Sequence, residues 1–145
     1  MKTKKLTMLA MLTAVSLVIF IIEAQLPPLT PIPGIKLGLA NIVTLITLAR
    51  LGRREAFTVL MLRIILGSVF AGQMMSLMYS LAGGALCFAV MAILVGTKLP
   101  LWVVSVFGAI AHNAGQVIVA IAITQLTQIT AFIPLLIISA VVTGA

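Results

Sequence analysis

The 145-residue chain contains no aspartate, a single cysteine (Cys87), a single histidine (His112) and two glutamates, Glu23 and Glu55. One cysteine excludes an internal disulfide. One histidine, one cysteine and two carboxylates cannot assemble a zinc or magnesium site. Without aspartate there is no Ser-His-Asp set. No phosphate-loop motif of the G-x-x-x-x-G-K-[ST] type occurs, so the chain does not hydrolyse ATP by itself. Charge is scarce as well, at 8% of residues against 63% hydrophobic, with a mean hydropathy of +1.34. Soluble domains are about half apolar and about a quarter charged. A soluble enzyme, a nucleic-acid-binding domain and a secreted disulfide scaffold are therefore excluded. What remains is an integral membrane protein of one domain, residues 1–145, with no catalytic residues, no metal site and no cofactor expected.

A membrane core takes roughly 20 apolar helical residues. The pattern predicts an all-α bundle of six transmembrane helices at 6–24, 35–49, 56–72, 74–95, 99–123 and 129–145. The basic start of the chain also has the look of a signal-peptide n-region. The long apolar stretch and the poor cleavage site around Glu23 favour a retained first span. Residues 25–34 hold four of the six prolines, and proline resists helix, so an extended outer loop is expected there. With the N-terminus cytoplasmic, the inner face collects Lys2, Lys4, Lys5, Arg50, Arg53, Arg54 and Lys98, and the outer face only Lys36. Such asymmetry is the positive-inside signature of a multi-pass protein in the cytoplasmic membrane.

Polar side chains in an apolar bundle normally face its interior. Gly108, His112, Gln116 and Ala120 recur every four residues and share one helix face. Gln73, Ser76, Ser80, Gly83 and Cys87 do the same on the fourth helix, and Gly38, Asn41 and Thr44 on the second. Most of these lie in the outer half by helical rise, with Arg63 nearer the midplane. A ligand pocket open to the outside follows, with the Pro-rich loop as its lid. Its candidate residues are Lys36, Asn41, Arg63, Gln73, His112, Asn113 and Gln116. Small and polar stripes of this kind also serve as ordinary helix-packing glue, and Glu23 and Lys36 can pair at the interface. Arg50, Arg53 and Arg54 suit lipid headgroups.

The stretches PGIKLGLANIV at 33–43, LRIILG at 62–67, SLAGG at 80–84 and GAIAHNAGQ at 108–116 resemble the Gx transporter family, also described as heptaprenyl diphosphate synthase component I. The resemblance runs over essentially the whole chain. That family is similar to the S components of energy-coupling factor (ECF) transporters. The similarity implies a six-helix protein that binds a small molecule from outside and is driven by a transmembrane T subunit and two cytoplasmic ATPases. It also implies a contact with the T subunit through Ala10 and Ala14. Two small residues four apart let another helix approach closely. The synthase name implies something else. Chain-elongating prenyl diphosphate synthases resemble one another in two Asp-rich motifs that this sequence lacks, so its role there is that of an accessory subunit beside a soluble catalytic partner.

Two principal functions are expected from these readings. The first is a substrate-binding membrane subunit for uptake of a small molecule. The alternative is a non-catalytic accessory subunit in isoprenoid or quinone biosynthesis. A stand-alone facilitator or scaffold has no specific residue in its favour, and intramembrane catalysis requires His112 and Glu23 to meet.

Overall fold

The computed structural model describes residues 2–27, 35–72, 74–125 and 127–145. Six α-helices account for nearly all of them: α1 (Lys2–Gln25), α2 (Asn41–Arg50), α3 (Arg53–Ala71), α4 (Met74–Leu94), α5 (Leu101–Thr124) and α6 (Ile133–Gly144). A 3-10 turn at Thr127–Phe132 leads into α6. No strand occurs among the described residues. The helix limits follow local chemistry. Gly72 closes α3 in the left-handed conformation, at φ 62°. Pro100 caps the start of α5 in extended conformation, and Pro134 sits in the first turn of α6, where its missing N–H costs nothing.

Four helical stretches are long and apolar enough to cross a membrane: Lys2–Gln25, Met74–Leu94, Leu101–Thr124 and Thr127–Gly144. The third helix has 19 residues but carries Arg53, Arg54, Glu55 and Arg63. The second departs most from the sequence expectation. Helix was expected from residue 35, yet α2 begins only at Asn41 and runs for ten residues. Ten residues rise about 15 Å, half of a bilayer core. Residues 35–40 are irregular but packed, with Ile35 and Ala40 buried. Such backbone is tolerated at membrane depth only when the protein itself satisfies it.

Contacts fix the direction of each helix. Lys5 and Glu55 form an ion pair, so α1 and α3 start side by side. The Glu55 carboxyl is held below its usual range by the hydrogen bond from Lys5. Arg53 Nη2 donates to the Ala92 carbonyl at 3.0 Å, which sets the start of α3 against the end of α4. Gly144 lies against Val106, so α6 ends beside the start of α5. Lys5, Arg50, Arg53, Arg54 and Lys98 therefore gather at one end of the bundle. Trp102, the sole tryptophan, is exposed near the same end, where indole rings anchor helices at a membrane surface.

The most extensive helix contact is between α4 and α5. It rests on two small residues that meet. A Cβ on Gly115 would stand 2.7 Å from the Ala82 carbonyl oxygen and 2.8 Å from the Gly83 Cα. Backbones this close gain dispersion contacts that larger side chains forbid. Gly115→Leu is expected to separate α4 from α5 and to leave little monodisperse protein by size-exclusion chromatography in detergent. A normal elution profile for that variant would show that the seam does not hold the bundle together. By contrast, α1 buries only one stripe, Thr13, Ser16, Phe20 and Glu23. Its other faces, including Ala10, Ala14, Met11, Val15 and Val18, are exposed.

Candidate functional site

The irregular segment 35–40 is the centre around which the polar residues assemble. Its backbone N–H groups have no helical acceptors, and side chains from two distant helices supply them. Glu23, near the end of α1, accepts from Gly38 N and, at 3.1 Å, from Leu39 N. Gln116 on α5 accepts from Lys36 N at 3.2 Å. The amide nitrogen of Gln116 lies 3.0 Å from His112 Nε2. An amide nitrogen can only donate, so His112 Nε2 accepts and the ring proton resides on Nδ1. That ring is clamped by two glycines. A Cβ on Gly38 would fall 2.6 Å from His112 Cδ2, and one on Gly83 would fall 2.8 Å from Nδ1. Gly38 also has φ 81°, a conformation that glycine adopts without strain.

Below the segment, Arg63 Nη2 donates to Asn41 Oδ1 at 3.0 Å. Asn41 is the first residue of α2, and Arg63 is 2% exposed. The Lys36 ammonium sits 3.5 Å from the centroid of the Phe20 ring, a cation–π contact. Phe20 is fixed from behind by Gly67, where a Cβ would come within 2.5 Å of the ring. A cavity of about 10 Å³ remains among Glu23, Lys36, Gly38, Arg63, Ser80, His112 and neighbours. A second, of about 30 Å³, lies on the side of Leu26 and Pro27 and is lined by the same Glu23 and Lys36. One water needs about 10 to 15 Å³, so the inner cavity holds at most one.

Of the residues singled out from the sequence, the structure brings together Lys36, Asn41, Arg63, His112 and Gln116. Asn113 points elsewhere: its Nδ2 donates to the Leu136 carbonyl of α6 at 2.8 Å. Adjacent helical residues project about 100° apart, so His112 and Asn113 cannot both face the same centre. Asn113 instead borders an apolar groove of about 310 Å³ between α5 and α6, lined by Ile110, Val117, Ile118, Ile121, Ile133 and Ile137 among others. Gln73 and residues 28–34 of the expected lid lie outside the described residues. Asn41 opens a half-length helix rather than lying within a full one. Glu23 and Lys36 do not form an ion pair among the described residues; the carboxylate binds backbone and the ammonium binds a ring. The role of Glu23 was not legible beforehand, since it depends on a broken helix that the apolar sequence 35–40 conceals. Its one signal was a carboxylate at the end of an otherwise apolar run.

Apolar helices with outward-facing hydrophobic surface, a basic end and a buried polar centre together define a helical, multi-pass membrane protein. The chain belongs to the Heptaprenyl diphosphate synthase component I family, whose sequence model matches residues 12–145. No curated protein and no solved structure matches it. Among the described residues, no group of three metal-ligating side chains is found.

Proposed function

We propose that the chain is a non-catalytic membrane accessory subunit in heptaprenyl diphosphate synthesis. Membership of a family described as a component of that synthase carries this reading. The composition supports it: the chain has no aspartate, and its two glutamates are taken up by Lys5 and by the 35–40 backbone, so the carboxylates that hold magnesium in diphosphate chemistry are better sought in a partner. The α5–α6 groove, open to the side and lined by branched aliphatic residues, has the chemistry to hold a prenyl chain. In this reading the N-terminus and the basic end face the cytoplasm, where a soluble prenyltransferase can dock.

A second reading is favoured by the buried polar cluster. It makes the chain a substrate-binding subunit for uptake of a small molecule from outside, working with a T subunit and two ATPases. The exposed Ala10 and Ala14 on α1 then serve as the seat for the T subunit. Both readings share a core: a ligand-binding membrane subunit whose chemistry or energy comes from other chains. A tagged pull-down from native membranes in mild detergent, read by mass spectrometry, separates them. Recovery of a prenyltransferase supports the first. A membrane subunit with two ATPases, lost on Ala10→Leu together with Ala14→Leu, supports the second. Recovery of neither would count against both.

A further inference from the structure

The polar cluster has more donors than acceptors. Lys36 Nζ, Asn41 Nδ2 and Arg63 Nε are buried atoms without a hydrogen-bond partner, and all three can only donate. Against the two cations stands one carboxylate, Glu23, which already accepts from Gly38 N and Leu39 N. The cluster thus carries two positive charges against one negative, in a region where charge is costly unless matched. Arg63 and Asn41 are 2% and 3% exposed, so bulk water does not supply the missing acceptors.

We propose that this cluster is an anion site, taking the oxygens of a phosphate or carboxylate group between Lys36, Asn41 and Arg63. Arg63 keeps its planar fork for such a group, since only Nη2 is committed to Asn41. Glu23 and Lys36 line both small cavities, so they form the partition between them. Parting them joins the two spaces and admits a group larger than water. The inner cavity is about 10 Å³, and the Lys36 side chain is held only by the Phe20 ring, so it can swing aside while Glu23 and Gln116 keep their bonds to the backbone of segment 35–40. The inference rests on reading the chain as a ligand-binding membrane subunit and names the chemistry of its ligand. The anion has two sources: the head of a prenyl diphosphate, or a small free acid or phosphate.

The test uses the full chain in a neutral maltoside detergent, with thermal unfolding and calorimetric titration as readouts. Probes are inorganic pyrophosphate, succinate, farnesyl diphosphate and farnesol. Saturable stabilisation by pyrophosphate or succinate, weakened at least tenfold in Lys36→Gln, is the expected result. Lys36 is only half-buried, so this variant keeps its fold, which its melting without anion verifies; Arg63→Gln is the second variant. Farnesyl diphosphate binding well above pyrophosphate supports the site and assigns the anion to a prenyl head. Anion binding undiminished in both variants, or none from any anionic probe, overturns the proposal. Stabilisation by farnesol alone overturns the anion site while leaving a prenyl-binding accessory subunit in place.

Discussion

Glu23→Ala is expected to lower the melting temperature of the detergent-solubilised protein more than truncation of any other polar side chain in the bundle. The substitution removes the acceptor of two buried N–H groups, Gly38 and Leu39, at about 1–3 kcal/mol each. It also leaves Lys36 and Arg63 without their only opposing charge. Removing one side of a buried charge arrangement costs about 3–5 kcal/mol. The two effects overlap, since the same oxygens serve both, so their sum is an upper bound. Glu23→Gln retains one carbonyl oxygen and is expected to fall between. Melting curves for both variants within a degree or two of the parent would show that the carboxylate does not anchor the segment.

Gly38→Ala carries the second large effect. A side chain at φ 81° costs about 1–2 kcal/mol in backbone strain. The new methyl also meets His112 Cδ2 at 2.6 Å and Asn41 Nδ2 at 2.8 Å, and overpacking of this kind costs about 1–3 kcal/mol. Gly83→Ala is helical and bears no such backbone strain, but its methyl meets the same ring at Nδ1 and the His112 backbone carbonyl oxygen, each at 2.8 Å. Both variants are therefore expected to melt below the parent, Gly38→Ala through backbone strain and overpacking together and Gly83→Ala through overpacking against a ring and a backbone carbonyl. A melting curve for Gly38→Ala within a degree or two of the parent would mean that neither the left-handed backbone nor the close approach of the ring constrains this position.

The membrane class and the convergence of polar residues were legible from sequence because both depend on local pattern. A histidine and a glutamine four apart must share a helix face, and His112 and Gln116 do hydrogen-bond. Arg63 was expected nearer the midplane and among the pocket residues; it is 2% exposed and donates to Asn41 at the start of α2. The break before α2 was not legible. Ile35, Leu37, Leu39 and Ala40 are as apolar as the helix that follows, and the hydropathy pattern carries no mark of where hydrogen bonds change partners. The feature that fixes the break is tertiary: a carboxylate 15 residues upstream and an amide 80 residues downstream. The pairing of Lys36 with Phe20 rather than Glu23 escaped for the same reason, since it requires knowing which acceptors the backbone has already taken. Asn113 was legible in principle, because its immediate neighbour already claimed the inner face.

The split ownership of the 35–40 backbone also sets an order for biogenesis. Chains enter the membrane from the N-terminal side as they are made. Glu23 can take the Gly38 and Leu39 amides as soon as α1 and the segment have been synthesised. The Lys36 amide waits for Gln116, 80 residues later. Until α5 arrives, the nascent bundle holds a half-dressed loop in an apolar surrounding, where unsatisfied amides are penalised. That interval is the point at which the translocation machinery or a lipid headgroup must shelter the chain. A ribosome stalled before residue 116 is therefore expected to leave the segment accessible to cysteine labelling at position 36 or 37, and one stalled on an added C-terminal extension that clears α5 from the exit tunnel to leave it protected.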